Sequence, residues 1–292
     1  MTQPWDVRDK TCLVTGATSG HGLAVARLLA RRGADVVLLG RDRAKCEAVR
    51  DSIAHETART PGVVLCDLSS RREIDRAAAE WLDLARPLHL LVANAGLVTR
   101  DRRESVDGVE LTMAVNYLAA FQLTLRLLPR LTESAPARIV VVASDAHRIA
   151  SLDPDDLEQR RGWWWFMGAY AKSKLALLFF QRELARRLAG TRVTVNAVDP
   201  GPVASGIADH EPGLVAPVAS WLLKRVFPSP ERAARTAIHL AVAPELDGVS
   251  GTYWRFMERK EPRYAPDRPD VATRLWDWSV ERTGADFPEL PD

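Results

Sequence analysis

At 292 residues, with 47% hydrophobic and 27% charged side chains, the chain has the composition of a soluble globular protein with one large domain or two small ones. Forty basic side chains against thirty-eight acidic ones leave a net charge of +2, which favours neither nucleic acid nor an anionic membrane surface as a partner. The three cysteines form no Cys-x-x-Cys pair, which disfavours both a disulfide scaffold and a zinc site, so no metal is expected.

The chain carries no recognisable targeting segment. Its first residues lack a basic patch followed by an apolar run, and no stretch approaches about eighteen uninterrupted apolar residues. We therefore expect no signal peptide, no membrane anchor and a cytoplasmic location.

Residues 11–22 predict a buried strand, a glycine turn and the start of a helix. Glycines at 16, 20 and 22 allow close backbone approach, and the layout presents backbone N–H groups and a helix N-terminus to a pyrophosphate. The spacing is Gly-x3-Gly-x-Gly rather than Gly-x-Gly-x-x-Gly, and a plain tight turn would give the same pattern.

The rest of the chain alternates between predicted strands and helices. Further strands are predicted at 34–39, 63–66, 88–93, 138–143, 193–198 and 251–256. This alternation predicts a single α/β domain with a doubly wound, Rossmann-type, parallel seven-stranded sheet and helices on both faces. We assign it to residues 1–258, including a substrate lid at about 203–228, and expect 259–292 to form a tail packed on the same domain.

Chemically suggestive residues fall where the predicted strands end, which is where ligands bind in such sheets. Arg41, Asp67, Asn94, Ser144 and Pro200 each follow a strand closely.

Tyr170 and Lys174 are four residues apart on a predicted helix and therefore share a face. An ammonium group near a phenol favours the phenolate, so we expect Lys174 to lower the pKa of Tyr170 toward neutrality.

Together these motifs resemble the short-chain dehydrogenase/reductase family over residues 9–257. The matching motifs, in the order of the family, are Thr15-Gly16-x3-Gly20-x-Gly22, Asn94-Ala95-Gly96, Ser144, Tyr170-x3-Lys174 and Pro200-Gly201. The interval of 26 residues between Ser144 and Tyr170, and the residues that fill it, resemble the retinol-dehydrogenase-like or WW-domain-oxidoreductase-like branch.

The resemblance implies four catalytic residues. Tyr170 would be the general acid/base, and Lys174 would hold the nicotinamide ribose hydroxyls. Ser144 would donate a hydrogen bond to the reacting oxygen. Asn116 would position a water near the lysine, although a purely structural polar residue would also explain an asparagine there.

The resemblance also implies a nicotinamide cofactor. NAD-preferring relatives carry an acidic residue at the position of Gly40, which Arg41 follows here. A guanidinium binds a 2′-phosphate bidentately, so we favour NADP(H) over NAD(H), although Arg41 could also be a solvated loop residue. Asp67 would bind the adenine amine, or else cap a helix. The implied cofactor residues are Gly16, Thr18, Ser19, Gly20, His21, Gly22, Arg41, Asp67, Leu68, Asn94, Ala95, Gly96, Tyr170, Lys174, Pro200, Gly201, Val203 and Ser205.

Several positions depart from the family pattern, among them Ser205 in place of the threonine that often contacts the nicotinamide carboxamide. His21 lies between two glycines where a small apolar residue is usual, and either points to solvent or crowds the nicotinamide. Asp145 follows the catalytic serine, and Asp199 precedes Pro200-Gly201 where the branch often has histidine.

We expect the substrate pocket to be built from residues 145–168 and 203–228, with Asp145, His147, Trp165, Phe166 and Trp221 among its lining. Its aromatic and apolar content predicts a bulky hydrophobic substrate. The same aromatic residues would also fit a dimer interface or a satellite core, and His147 would fit a hydrogen-bonded loop.

The sequence therefore predicts an NADP(H)-dependent oxidoreductase acting on a ketone, secondary alcohol or aldehyde of a bulky hydrophobic substrate. Two alternatives are a non-redox step with bound cofactor (cyclisation, dehydration or epimerisation) and a non-catalytic nucleotide sensor on the same fold. A homodimer or homotetramer through helices at 108–131 and 169–188 is typical of the family. The tail could cover one such face, so the oligomeric state stays open.

Overall fold

The computed structural model describes residues 5–201, 228–263 and 268–289. Its strands are β1 Thr11–Thr15, β2 Asp35–Gly40, β3 Gly62–Leu65, β4 Leu90–Ala93, β5 Ala137–Val142, β6 Val193–Asp199, β7 Tyr253–Arg255 and β8 Glu258–Lys260. They form one sheet in the order β3-β2-β1-β4-β5-β6-β7-β8, and the first seven strands run parallel. The order 3-2-1-4-5-6 is that of a doubly wound dinucleotide-binding sheet, which confirms the predicted fold class.

Helices cover both faces of the sheet. They are α1 Gly20–Arg31, α2 Arg43–Thr57, α3 Arg71–Asp83, α4 Leu111–Glu133, α5 Phe166–Arg187, α6 Pro230–Val242 and α7 Pro269–Thr283. Successive side chains of a strand point to opposite faces, and β1 shows the result. Leu13 packs in the core formed with α3, α4 and α5, whereas Cys12 and Val14 pack in the core formed with α1 and α6.

The predicted number of strands is wrong by one. β8 pairs antiparallel with β7, with Tyr253 opposite Lys260. The two strands are joined by Phe256 and Met257, both at positive φ (52° and 63°), the pattern of a type I′ hairpin turn. The hairpin is hard to predict because this turn contains neither glycine nor asparagine, and because all three residues of β8 are charged and exposed.

The C-terminal helix α7 covers the outer face of α4 and α5. Trp276 contacts Phe121 edge-on with ring centroids 5.0 Å apart, and Trp278 stacks on Tyr117. The Tyr117 hydroxyl donates to Ser279 Oγ at 2.7 Å, and Ser279 Oγ donates in turn to the carbonyl of Leu275. The end of the chain therefore closes one of the two cores.

Helix α4 is long and apolar enough to cross a membrane by length and composition, with a mean hydropathy of 1.3. However, 78% of its most apolar window is buried inside the protein, as in the core helix of a globular fold.

Cys12, Cys46 and Cys66 are free and buried, and burial raises the pKa of the Cys66 thiol to about 12.

Candidate active site

The glycine turn between β1 and α1 leaves no space for side chains. Gly16 has a positive φ of 64°, and a Cβ on Gly22 would lie 2.3 Å from the Gly16 carbonyl oxygen. Among the described residues, the Ser19 side chain makes no capping hydrogen bond to the first turn of α1. The free N–H groups of that turn, the positive end of the helix dipole and the side-chain-free approach fit a pyrophosphate.

Thr15 and Asn94 join the ends of β1 and β4 beside this turn. Thr15 Oγ1 accepts hydrogen bonds of 2.9 Å from the backbone N–H groups of Asn94 and Ala95. Asn94 Nδ2 donates to the Thr15 carbonyl at 2.9 Å. Thr15 was not among the predicted site residues. Its hydroxyl at the end of a predicted strand, where the glycine motif begins, could have indicated that it joins two strand ends.

His21 is buried and does not point to solvent, which removes one of its two predicted positions. Its Nδ1 lies 2.8 Å from Asn94 Oδ1. Because Asn94 Nδ2 already donates to Thr15, its Oδ1 accepts, so His21 Nδ1 carries the proton. Burial lowers the pKa of His21 to about 4, and the ring is therefore neutral at physiological pH.

The end of β2 has no room for an acidic side chain. A Cβ on Gly40 would lie 2.8 Å from Cys46 Sγ and 3.2 Å from Thr18 Cγ2. The next residue, Arg41, is exposed at the strand end.

The end of β3 is held by a local turn. Asp67 Oδ1 accepts from the Ser69 backbone N–H at 2.9 Å and from the Ser69 hydroxyl at 2.8 Å. Leu68 packs against the core.

Ser144, Tyr170 and Lys174 come together where β5 meets α5. Lys174 Nζ donates to the Val142 carbonyl at 2.7 Å and lies 5.6 Å from the centre of the Tyr170 ring. Ser144 hydrogen-bonds with Tyr170. Its Oγ also accepts from the Ala146 backbone N–H, so the serine caps the 3₁₀ turn Asp145–Ile149.

Burial governs the pKa values of this group. It raises the pKa of Tyr170 to about 12, an effect that the Ser144 hydrogen bond opposes and the nearby Asp199 carboxylate reinforces. Burial lowers the pKa of Lys174 to about 8, which Asp199 opposes. The expected lowering of the Tyr170 pKa by Lys174 is therefore wrong for the protein alone, because desolvation of the phenolate is the larger effect.

Asn116 lies in a π-helical turn, Ala114–Leu118, within α4. Its side chain accepts from the Leu97 N–H at 2.7 Å and donates to the Leu97 carbonyl and to Ser173 Oγ, both at 3.0 Å. Such turns are frequent at functional sites. A Cβ on Gly96 would lie 3.4 Å from Asn116 Oδ1 and 3.5 Å from Lys174 Nζ, so both side chains reach the Asn94-Ala95-Gly96 turn.

Two acidic residues and an arginine lie at the ends of β5, β6 and β7. Asp199 Oδ1 accepts from the Gly201 N–H at 2.9 Å, which fixes the turn at Pro200. Arg255 is 2.9 Å from a carboxylate oxygen of Asp145 and 2.9 Å from one of Asp199. Sequence reasoning missed Arg255, which lies 110 residues from Asp145 along the chain.

Among the described residues, His147 faces no cavity, which disagrees with its predicted place in the pocket lining. It is fully buried, its Nδ1 lies 2.8 Å from the Ser144 carbonyl, and its Nε2 accepts from the Arg263 backbone N–H at 3.2 Å. It is the hydrogen-bonded loop residue that was the alternative reading.

Trp165 lies away from the catalytic face of α5, and its predicted place in the substrate pocket stays a prediction. It packs over Gly168, and with Lys172 these residues line a cavity of about 360 Å³. Residues 168 and 172 share one helix face, while Tyr170 and Lys174 share another about 160° around the axis.

The remaining predicted lining residues are less informative. Phe166 begins α5 and is half-buried. Val203, Ser205 and Trp221 lie outside the described residues, as do residues 203–227 of the predicted lid. Within the described ranges, no group of three His, Cys, Asp or Glu side chains is placed to hold a metal ion.

Comparison with known sequences agrees with this geometry. The family model for short chain dehydrogenases matches residues 10–212. Human retinol dehydrogenase 13 is 37% identical over 286 residues, covering 96% of this chain and 86% of that protein. Mouse polyprenol dehydrogenase is 38% identical over 283 residues, covering 94% of this chain and 84% of that protein.

Solved structures share the whole architecture. An uncharacterized protein from Mycobacterium Paratuberculosis matches with a TM-score of 0.76 and 30% identity, covering 98% of both chains. The RhlG/NADP active-site complex of Pseudomonas aeruginosa matches with a TM-score of 0.70 and 28% identity, covering 87% of this chain and 97% of that one. The sheet order and the serine, tyrosine and lysine at its edge agree with these similarities. The chain therefore belongs to the short-chain dehydrogenase/reductase family and resembles its retinol-dehydrogenase-like branch.

Proposed function

We propose that this enzyme transfers a hydride between NADP(H) and a ketone, secondary alcohol or aldehyde on a bulky hydrophobic substrate. The observation that carries the proposal is the convergence of Ser144, Tyr170, Lys174 and Asn116 at the carboxyl edge of the sheet, beside the glycine turn. A proton donor, a hydrogen-bond donor and a buried ammonium in one place are what carbonyl reduction requires.

The cofactor, when bound, supplies or accepts the hydride, and the protein handles the proton. Tyr170 Oη would give its proton to the substrate oxygen in reduction and recover it in oxidation. Ser144, already within hydrogen-bonding reach of Tyr170, would hold the same oxygen. Because the pKa of Tyr170 is raised to about 12, the tyrosine is protonated at neutral pH and ready for the reductive direction.

Lys174 would restore the proton to Tyr170 through a water that Asn116 positions. A Cβ added to Gly96 would lie 3.5 Å from Lys174 Nζ and 3.4 Å from Asn116 Oδ1, so both side chains reach the same point. A water held between them would link Tyr170 to solvent. The pKa of Lys174, lowered to about 8, allows the lysine to exchange a proton near physiological pH.

The preference for NADP(H) rests on the end of β2. A carboxylate at position 40 would repel a 2′-phosphate, and Gly40 has no room for one. The exposed guanidinium of Arg41 would bind that phosphate. The similar Pseudomonas aeruginosa protein was solved in complex with NADP, which supports the same cofactor here.

The substrate class rests on the named relatives. Retinol and polyprenols are long apolar alcohols, and the proteins named for them are dehydrogenases. This favours the redox reaction over cyclisation, dehydration or epimerisation and supports a bulky hydrophobic substrate.

The cytoplasmic location, the absence of a membrane anchor and a homodimer or homotetramer stay predictions.

The first test follows the absorbance of reduced nicotinamide with purified protein, NADPH or NADH, and a panel of bulky apolar ketones and aldehydes, isoprenoid ones included. We expect oxidation of NADPH well ahead of NADH. Tyr170→Phe should abolish turnover while leaving NADPH binding, followed by cofactor fluorescence, intact.

Tyr117→Phe is the matched control, since Tyr117 is another buried tyrosine that bonds Ser279 rather than Ser144. It should retain turnover. Tight NADPH binding without turnover of any carbonyl or alcohol would contradict the redox proposal.

A further inference from the structure

Two carboxylates flank the catalytic group, and each is adjacent in sequence to a functional segment. Asp145 directly follows Ser144, at the start of the 3₁₀ turn after β5. Asp199 ends β6, directly before Pro200-Gly201, and its side chain is bonded to the Gly201 N–H. Two like charges at neighbouring strand ends repel each other unless a cation lies between them.

Arg255, the last residue of β7, supplies that cation. Its Nη1 donates to Asp145 Oδ2 at 2.9 Å, and its Nε lies 2.9 Å from Asp199 Oδ2. The second contact is an ion pair rather than an aligned hydrogen bond, since neither of its two atoms has an aligned partner among the described residues. The guanidinium also lies 4.7 Å from the centre of the Phe256 ring, which restricts its position.

The environment of Asp199 makes this cation consequential. The residue is 2% exposed, so its charge is poorly screened. Its carboxylate acts on both Tyr170 and Lys174, raising the pKa of each. A negative charge beside Tyr170 disfavours the phenolate that alcohol oxidation requires.

The other charged and titratable groups around Tyr170 come from every element packed there. Lys174 lies on the same helix, and Asp145, His147 and Arg148 lie on the 3₁₀ turn. Arg148 Nη1 lies 3.7 Å from Asp145 Oδ1, the carboxylate oxygen that Arg255 does not contact. Tyr253 of β7 packs against His147. Among the described residues, Arg255 is the cation that contacts both carboxylates.

We propose that Arg255 is a positioning residue for the dehydrogenase reaction, holding Asp145 and Asp199 together and offsetting the Asp199 charge at Tyr170. The clamp joins the strand end that carries Ser144 to the turn that carries Gly201. This role rests on the proposed function, because it assigns Tyr170 as the acid/base.

The test measures the Tyr170 titration of the enzyme with NADP⁺ bound, because the cationic nicotinamide would favour the phenolate. It uses two readouts: the pH profile of kcat for alcohol oxidation, and the tyrosinate absorbance of each variant minus that of its Tyr170→Phe counterpart. Arg255→Gln should shift both midpoints up by about one pH unit and slow oxidation about tenfold on the rising limb of the profile. Arg255→Lys keeps the charge and should shift the midpoint less.

A double variant separates the electrostatic role from a merely structural one. Arg255→Gln combined with Asp199→Asn removes both charges and should return the midpoint to the wild-type value or below. Arg86→Gln is the matched control, because Arg86 forms a 2.6 Å ion pair with Asp35 at the opposite end of the strands. It should leave both profiles unchanged.

Coinciding titration curves for Arg255→Gln and wild type would overturn the proposal, as would a shift that Asp199→Asn fails to reverse. If Arg255→Gln does not fold, Asp199→Asn alone decides, since it should lower the midpoint and an unchanged midpoint refutes the role. The absorbance titration needs no turnover. A shifted tyrosinate titration in an enzyme inactive on every substrate would therefore refute the proposed function and leave the Arg255 clamp standing.

Discussion

Cofactor preference depends on two neighbouring residues at the end of β2. The Cβ position of Gly40 is occupied by Cys46 and Thr18, so the loss of the acidic residue is built into the packing. The 2′-phosphate contact then falls to Arg41, whose side chain is exposed and available.

Arg41→Ala should raise KM for NADPH about 10- to 100-fold, because a hydrogen bond to a charged group contributes about 1.5–3 kcal/mol. KM for NADH should stay unchanged. Arg43→Ala is the control, since Arg43 is also exposed but pairs with Glu47 on α2. Equal losses for NADPH and NADH, measured by initial rates, would show that Arg41 does not contact the 2′-phosphate.

Lys174 carries a stability cost that depends on pH. Its pKa falls from an ordinary 10.5 to about 8 because the ammonium is buried. Below pH 8 the folded protein must hold this buried charge, at a cost of up to about 3 kcal/mol. As pH rises from 8 to 10.5 the folded protein releases the proton before the unfolded chain does, and the cost disappears.

Lys174→Met should therefore be more stable than wild type at pH 7, by less than the full amount because the Val142 carbonyl loses its donor. The gain should shrink as the pH approaches 10, and turnover should be lost. Thermal unfolding across this range measures it. Lys172→Met, a half-buried lysine on another face of the same helix, is the control, and a gain independent of pH would argue against the buried charge.

For individual residues, the sequence predicted partners that are close along the chain. It missed partners that only the tertiary fold brings together. Tyr170 and Lys174 are four apart on one helix, so their pairing needs no tertiary information. Arg255 reaches Asp145 across 110 residues, and only the strand order brings them together. His147 was misassigned because its partners, Ser144 and Arg263, are backbone groups that leave no pattern in the sequence.

Among the elements, α7 is the one whose packing can be tested most cleanly. The buried Tyr117 hydroxyl depends on Ser279 as its acceptor. Ser279→Ala leaves that hydroxyl without a partner and should lower the free energy of unfolding by about 1–3 kcal/mol.

Tyr117→Phe removes the buried hydroxyl itself, so the double variant should be less destabilised than the sum of the two single changes. Urea unfolding measures all three. Asp277→Ala, at an exposed position of the same helix, should have little effect. Additive losses would show that the Tyr117–Ser279 bond contributes no coupling energy.

Elements with strong hydrophobic patterns were predictable, and those set by local geometry were not. Strands β1–β6 are mainly apolar runs between turns, and their predicted positions agree with the structure to within a few residues. The π turn around Asn116 and the β7–β8 hairpin have no comparable signature. A π turn inserts one residue into a helix without changing the hydrophobicity of the segment. The three charged residues of β8 lack the apolar pattern that predicts a strand.

For the molecule as a whole, the doubly wound sheet explains why the site lies where it does. Its members come from the ends of β1, β4, β5 and β6 and from two helices, and parallel strands bring those ends to one edge. The sequence predicted this edge because strand order follows from family topology. The sequence left open whether the C-terminal tail covers the helices at 108–131 and 169–188, and the structure places α7 against both α4 and α5.

Because all three cysteines are buried, the rate at which each thiol is alkylated reports how fast its part of the folded chain opens. Cys12 lies in β1 in the centre of the sheet, Cys46 on the buried side of α2, and Cys66 directly after β3. While the fold is closed, a thiol-directed reagent meets none of them, and each reacts at the rate at which its own surroundings open. Alkylation of the three sites therefore reads out, from one unmodified sample, whether α2 loosens before the sheet or the whole domain opens at once.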